Sequence, residues 1–544
     1  MGYAVKNPDK PEVVDVGEKI LGHPQPFDPV RSGLEKIDSW HLSEEMASKA
    51  RTVSGLAFER FSSGVGKSPD DGKIHFLDCG GTGSGKKEDV LLSAIFMAEK
   101  MGKPALIATR RDLVEGEEEK AAKLSKKYGF DFKDKVQFCA FDDLPAIVKK
   151  ANHKGETFSM LGLDESQDIP RNPAWKQAVD EAPAPFVVHL SATPFNTPRE
   201  AAYLFSRILG KKESDVEKAL DVPIKQVPKK ISQLTGEAFQ QGSMVRFENP
   251  FYGKMGGDKG LKVYPLDEAQ TAQQDAIARH YAKEVQNTKN LLQQRTLVES
   301  YQKEIRALSD DALVDHAVDW ITSKLDKGKK VIFYGTDESV TSAVLKDENG
   351  KPAVLSSFLA SVQKGLEKRL DERSQVARMS DSRSHDKNLS LAQEFAESSG
   401  WKKGCNVLLM PYSQAAGHSF LNQQSEDSPS LAIGSGIPTT ADDLLQIPGR
   451  GSRRNSMGPT TFNVLSMDSL ADYGRVKTIE PGVEFLQSVG SLWAQSFDGL
   501  SKTYEQNAQK ARKEQSAGVD IRRTKSFLKQ PAHGQRQAAD ALTR

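Results

Sequence analysis

Seven consecutive residues near the start of the chain, Gly80-Gly81-Thr82-Gly83-Ser84-Gly85-Lys86, have the types and spacing of a phosphate-wrapping loop, G-x4-G-K. Glycines let backbone N–H groups curl round phosphate oxygens. A following helix N-terminus adds partial positive charge, and Lys86 reaches the outer phosphates. The next position departs from the pattern. Where a Ser or Thr hydroxyl would ligate Mg²⁺, the chain has Lys87. A cation about 4 Å from Mg²⁺ costs on the order of several kcal/mol even at an effective dielectric near 20. Lys87 is therefore expected to point away, with a water completing the metal's shell. Both a working and a weakened site are compatible with that substitution.

Three further clusters carry chemistry. Asp164 and Glu165 end the apolar stretch Leu161-Gly162-Leu163. In phosphoryl transfer one such carboxylate holds Mg²⁺ through water and the next orients the attacking water, which suits these two in that order. Alone, the pair is equally an ordinary acidic helix start. Ser191-Ala192-Thr193-Pro194 ends another apolar run, and alone it reads as a Ser/Thr turn before proline. Gln446-Ile447-Pro448-Gly449-Arg450-Gly451-Ser452-Arg453 supplies guanidinium groups that could meet the charge on a transferred phosphoryl group. Arg450 and Arg453 are three apart and would share a helix face. The plain alternative is a basic surface turn.

The elements that must position these residues can be read from pattern. Residues 73–79 read as a strand running into the glycine loop, DVLLSAIFMAEKMG as a helix stopping at Gly102, and PALIAT as a buried strand. This is a βαβ unit in a parallel sheet. VQFCAF, TFSMLGLDE and FVVHLSATP continue the strands, and residues 201–220 read helical. Residues 221–312 differ and are expected to form an inter-lobe insert, with one long polar helix from about 267 to 308 whose apolar stripe is Ile277, Tyr281 and Val285. A second α/β pattern opens at 313, with HAVDWITSKLDKG as a helix and KKVIFYGT, CNVLLMPYS and TTFNVLSMD as strands. The expected division is an N-terminal extension (1–70), a first lobe (71–220), the insert (221–312), a second lobe (313–480) and a basic tail (481–544).

Composition is a water-soluble balance, slightly polar for a globular protein: 544 residues, 37% hydrophobic, 27% charged, net charge +1. No run of about 18 apolar residues spans a membrane, and the N-terminus lacks a secretory pattern, so an intracellular location, cytoplasmic or nuclear, is expected. Three cysteines far apart argue against a disulfide framework. From residue 501 onward there are ten Lys/Arg against four Asp/Glu, a local net of +6. That tail is either a solvated, partly helical or disordered end or a phosphate-attracting arm.

GSGK, DESQ, SATP and QxxGRxxR, in that order, resemble motifs I, II, III and VI of superfamily-two helicases and translocases. SATPFNTPREAAYLFSRIL, MVRFENPF with KVYPLDEAQTAQQDAI, and VLLMPYSQAAGHSFLN are similar to the SWI/SNF-type and poxvirus nucleoside-triphosphatase branch. The resemblance covers residues 73–480. It implies two RecA-like parallel α/β lobes, ATP and Mg²⁺ as cofactors, and nucleic acid as partner, DNA favoured over RNA. It also implies ATP hydrolysis coupled to translocation on or remodelling of DNA. The alternatives are an RNA helicase and a weakened nucleotide-binding scaffold. By resemblance, Gly81, Thr82, Gly83, Ser84, Gly85, Lys86 and Lys87 would cradle phosphate, with Gln446 beside the nucleotide. Asp164 would hold the metal, Glu165 the attacking water, and Arg450 and Arg453 would be arginine fingers. Ser191 and Thr193 would couple the halves. Thr109, Arg110, Ser413, Gly417 and Ser419 would face nucleic-acid phosphates. Gln167 stands where DEAH-type members have His, and only Gln25 and Phe27 offer themselves for base recognition.

Overall fold

A computed structural model describes residues 52–56, 59–60, 63–64, 66–80, 85–246, 260–370, 375–397, 405–415, 430–448, 460–488, 494 and 497–518. These divide into two compact units. One holds residues up to 246 with 484–488; the other holds 260–483, 494 and 497–518.

The first unit is built on a six-stranded sheet. Its strands are β1 Ile74–Asp78, β2 Ala105–Thr109, β3 Val136–Ala140, β4 Leu161–Asp164, β5 Phe186–Leu190 and β6 Met244–Val245, in the order β3-β2-β4-β5-β1-β6. Every pairing is parallel. Parallel strands are covered on both faces and read as unbroken apolar runs; β1 (IHFLD) and β2 (ALIAT) are buried at every position. Around them lie α1 Lys86–Met101, α2 Val114–Tyr128, α3 Leu144–Lys154, α4 Pro173–Glu181, α5 Pro198–Leu209, α6 Glu213–Leu220 and α7 Val227–Gln240. Thr197 caps α5 by accepting from the Glu200 N–H, with Pro198 at the first turn. Side chains alternate along β2. Ile107 joins Phe76, Leu92 and Phe96 on one face, and Leu106 joins Leu144, Val148 and Val187 on the other.

The second unit repeats the plan with β7 Gly260–Tyr264, β8 Lys330–Gly335, β9 Val340–Lys346, β10 Pro352–Leu355, β11 Gln375–Arg378, β12 Cys405–Pro411, β13 Leu431–Ser435 and β14 Thr460–Met467. The sheet order is β11-β12-β8-β13-β14-β7, again all parallel, while β9 and β10 form a separate antiparallel pair. The helices are α8 Glu268–Asn287, α9 Leu291–Leu325, α10 Phe358–Arg369, α11 His385–Glu397, α12 Ala441–Gln446, α13 Leu470–Ser488, whose residues from 484 on belong to the first unit, and α14 Leu500–Gly518. Gly434 of β13 is a close approach: a Cβ there would lie 2.6 Å from the Trp320 ring of α9.

The expected pair of parallel α/β lobes is present, but residues 221–312 are not a free-standing insert. α7 and β6 belong to the first unit, and β6 pairs with β1. β7 belongs to the second and pairs with β14. The expected helix over 267–308 is two helices. Asn290 accepts from the Leu292 and Gln293 N–H groups and so starts α9 afresh. α9 then runs unbroken through position 313, because no Gly or Pro interrupts it before Leu325. Ile277 and Tyr281 are buried as the stripe requires, whereas Val285 is half-buried, two residues before α8 ends. Of the expected tail, residues 481–488 end α13 and residues 500–518 form α14, whose Tyr504 hydroxyl donates to the Met467 carbonyl at 2.7 Å. The three cysteines are buried, and none forms a disulfide. Among the described residues no helix is long and apolar enough to cross a membrane.

Within the first sheet, β1 and β5 carry a buried chain of hydrogen-bonding groups whose titration is expected to make stability depend on pH. His75 Nε2 lies 2.8 Å from Asp71 Oδ2, and His75 Nδ1 lies 3.0 Å from His189 Nε2. Burial lowers the pKa of both imidazoles; for His75 it outweighs the Asp71 carboxylate, and for His189 the neighbouring His75 adds to it. A folded-state pKa below the unfolded value of about 6.5 means that the unfolded chain binds more protons under acid conditions. This stabilisation is complete above about pH 6.5 and is lost as pH falls below it. Urea unfolding of the first unit is expected to show a falling midpoint from pH 7 to pH 5. His189→Gln, which keeps a donor toward His75 but cannot titrate, is expected to flatten that slope. An equal slope in the variant would remove the pair as its cause.

Candidate active site

β1 ends at Asp78, and the chain turns at once: Asp78 Oδ1 accepts from the Gly80 N–H at 2.9 Å. The loop residues Gly81, Thr82, Gly83 and Ser84 lie outside the described residues. Gly85 closes the loop as the N-cap of α1 at φ 96°, a left-handed conformation that side chains resist. The strand, glycine turn and helix therefore stand in the order a phosphate loop needs. Lys86 opens α1, and its Nζ donates to the Gly80 carbonyl at 2.6 Å. Burial lowers its pKa, against the opposing pull of Asp78, Glu165 and Asp164, while Arg246, just after β6, adds positive potential.

Lys87 does not point away from the acidic pair. Its Nζ is 2.9 Å from Asp164 Oδ2 and 2.6 Å from Glu117 Oε1 of α2. Repulsion from a metal would turn the ammonium away, but the attraction of two carboxylates holds it there. Burial would lower the Lys87 pKa, but Asp164 and Glu117 outweigh it and hold the group above its ordinary range. Burial would likewise raise the Asp164 pKa, and the Lys87 ammonium overcomes it and holds that carboxyl below its usual value. Asp164 ends β4 beside Thr109 at the end of β2, and the Thr109 hydroxyl donates to Asp164 Oδ2 at 2.9 Å. Thr109 is fully buried, so it presents no hydroxyl to solvent; Arg110 is half-buried.

Glu165 has φ 58° and ψ 48° and is one of two described non-glycine residues with positive φ. Such a conformation costs about 1–2 kcal/mol and is held by its surroundings. Those surroundings form a relay across the ends of β4 and β5. Gln167 Nε2 donates to Glu165 Oε2 at 3.1 Å, the Ser191 hydroxyl donates to Gln167 Oε1 at 2.6 Å, and the Thr193 N–H donates to Ser191 Oγ at 3.0 Å. Ser191 and Thr193 are thus tied to the acidic pair within the first unit through Gln167. Asp78 and Glu117 carry no functional reading from sequence alone, and Gln167 carries only its position where DEAH-type members have His. Gln167 had a signal in its distance from Glu165; Glu117 had none, because only the packing of α2 brings it to Lys87.

In the second unit, Gln446 ends α12 and is buried. Ser413 follows β12 and donates to Asp381 Oδ1. Arg450, Arg453, Gly417, Ser419, Gln25 and Phe27 lie outside the described residues.

No protein-family model and no curated protein matches the chain. Among solved structures, the chain is similar to the Sulfolobus solfataricus SWI2/SNF2 ATPase core in complex with dsDNA at 13% identity, over 83% of this chain and 95% of that one, with a TM-score of 0.30. It is also similar to the Sulfolobus solfataricus SWI2/SNF2 ATPase core domain at 13% identity, over 79% of this chain and 87% of that one, with a TM-score of 0.31. Each unit of this chain carries a six-stranded, all-parallel sheet flanked by helices.

Proposed function

We propose that the chain is a nucleoside triphosphatase of the superfamily-two type that couples ATP hydrolysis to movement on, or remodelling of, DNA. The observation that carries this reading is the first unit's grouping of Lys86 at a strand–glycine–helix junction with Asp164 and Glu165 at a nearby strand end of the same sheet. In this reading Lys86 and the loop N–H groups bind the phosphates. Glu165, fixed through Gln167 and Ser191, orients the attacking water. The motif series in the sequence supplies the nucleic-acid part. Arg450 and Arg453 take the role of guanidinium donors to the transferred group.

A second reading, a nucleotide-binding scaffold of slowed turnover, is favoured by Lys87 sitting on Asp164. ATP turnover by the full chain alone, with duplex DNA and with RNA separates them. Duplex DNA is expected to raise the rate by at least about tenfold, with salt suppressing the effect as phosphate contacts require. Stimulation by RNA alone would make it an RNA helicase. Binding without turnover would make it a scaffold. ATP neither bound nor turned over would defeat the site assignment.

A further inference from the structure

The position of Lys87 conflicts with the divalent metal that the motif series implies. A phosphate loop ordinarily presents a hydroxyl one residue after its lysine, and the metal sits between that hydroxyl and the carboxylate of the neighbouring strand. Here that place holds an ammonium. Its Nζ is within hydrogen-bond distance of both Asp164 Oδ2 and Glu117 Oε1. Asp164 Oδ2 also accepts from the Thr109 hydroxyl, so this carboxylate oxygen already carries two donors.

An ammonium has three donors and no lone pair, so Lys87 cannot itself ligate a metal. On its other side the Lys87 side chain borders a small pocket walled mainly by Val90, Leu91, Ile107, Ala121, Leu124 and Phe138, so its ion pairs with Glu117 and Asp164 form against an apolar wall. The residues present do not fit a hydrated divalent ion in this arrangement.

We propose that the Lys87 ammonium is a tethered replacement for the divalent cation, so that the site takes a nucleoside triphosphate as the free, metal-less anion. The proposal rests on the nucleotide-site reading above and narrows its ligand. Glu117 and Asp164 take two of the ammonium's three donors, and the third is available in kind for a phosphate oxygen. Glu117 has a definite part in this. It supplies the second negative charge that keeps Lys87 in place while Asp164 remains ionised.

The test is ATP binding to the full chain by calorimetry, once with excess magnesium and once with excess EDTA. The wild-type dissociation constant is expected to differ by less than about threefold between the two conditions. Lys87→Thr restores the hydroxyl and frees Asp164; it is expected to bind at least about tenfold more tightly with magnesium than with EDTA. Lys87→Arg keeps the cation and is expected to behave like wild type. If wild-type ATP binding needs magnesium by tenfold or more, the proposal is wrong while the nucleotide-site reading survives. If wild type binds ATP in neither condition, the nucleotide-site reading fails and this inference falls with it. The wild-type comparison is decisive even if a variant misfolds.

Discussion

Glu165→Gln is expected to cut DNA-stimulated ATP turnover by about 10²–10⁴-fold, the range a positioned acid–base group contributes, while ATP affinity changes little. The substitution is nearly isosteric, and the amide can still meet Gln167 Nε2 through its oxygen. The unusual backbone at φ 58° is set by the chain's path out of β4, so the side chain's place is retained. What is lost is the negative charge that, in the proposed role, draws a proton from the attacking water. Steady-state turnover and ATP calorimetry on the same preparation check this. Gln167→Ala is expected to have a smaller effect in the same direction, because it loosens Glu165 without removing its charge. Turnover by Glu165→Gln within twofold of wild type would assign the water-orienting role elsewhere.

Arg475→Ala is expected to destabilise the second unit by about 3–5 kcal/mol, the cost of stranding one side of a buried ion pair. Arg475 Nη1 donates to Asp310 Oδ1 at 2.8 Å and to Asp472 Oδ1 at 3.0 Å, and Nη2 reaches Asp310 Oδ2 at 3.2 Å. Its side chain is only 2% exposed. Burial would lower the guanidinium pKa, yet the two aspartates outweigh it and keep Arg475 charged. Asp310 also accepts from the Thr336 hydroxyl, and Asp472 from the Ser466 hydroxyl and the Met467 N–H. The arginine therefore joins α9, the end of β8, the end of β14 and α13. The thermal midpoint of that unit is expected to fall by roughly 10 °C. Asp310→Asn in the Arg475→Ala background removes one stranded charge and is expected to recover part of the loss. A midpoint shift under about 2 °C for the single variant would mean that water reaches the cluster.

Both sites show where sequence patterns run out. The glycine loop, its lysine and the acidic pair lie close together in the chain or at the ends of apolar runs, and pattern finds them. The parallel lobes follow from alternating buried strands and amphipathic helices. Edge strands were less legible. β6 is two residues long and β7 lies in a segment of mixed polarity, so neither makes a conspicuous apolar run. Their membership in the sheets comes from pairing with β1 and β14. The start of α9 was hidden because Asn290 reads as one more polar residue in a polar helix until its side chain is seen to accept two backbone donors.

By itself the sequence determined that two α/β lobes form and that a lysine-tipped glycine loop and paired carboxylates stand at the strand ends of the first. Those features depend on local backbone freedom and on which runs must leave water. The tertiary structure decided which charges meet. Adjacent strands β2 and β4 put Thr109 on Asp164 across 55 residues, and α2 brings Glu117 to Lys87 across 30. Ion pairs and hydrogen bonds act over a few ångströms, so their partners are chosen by packing, which no spacing along the chain encodes.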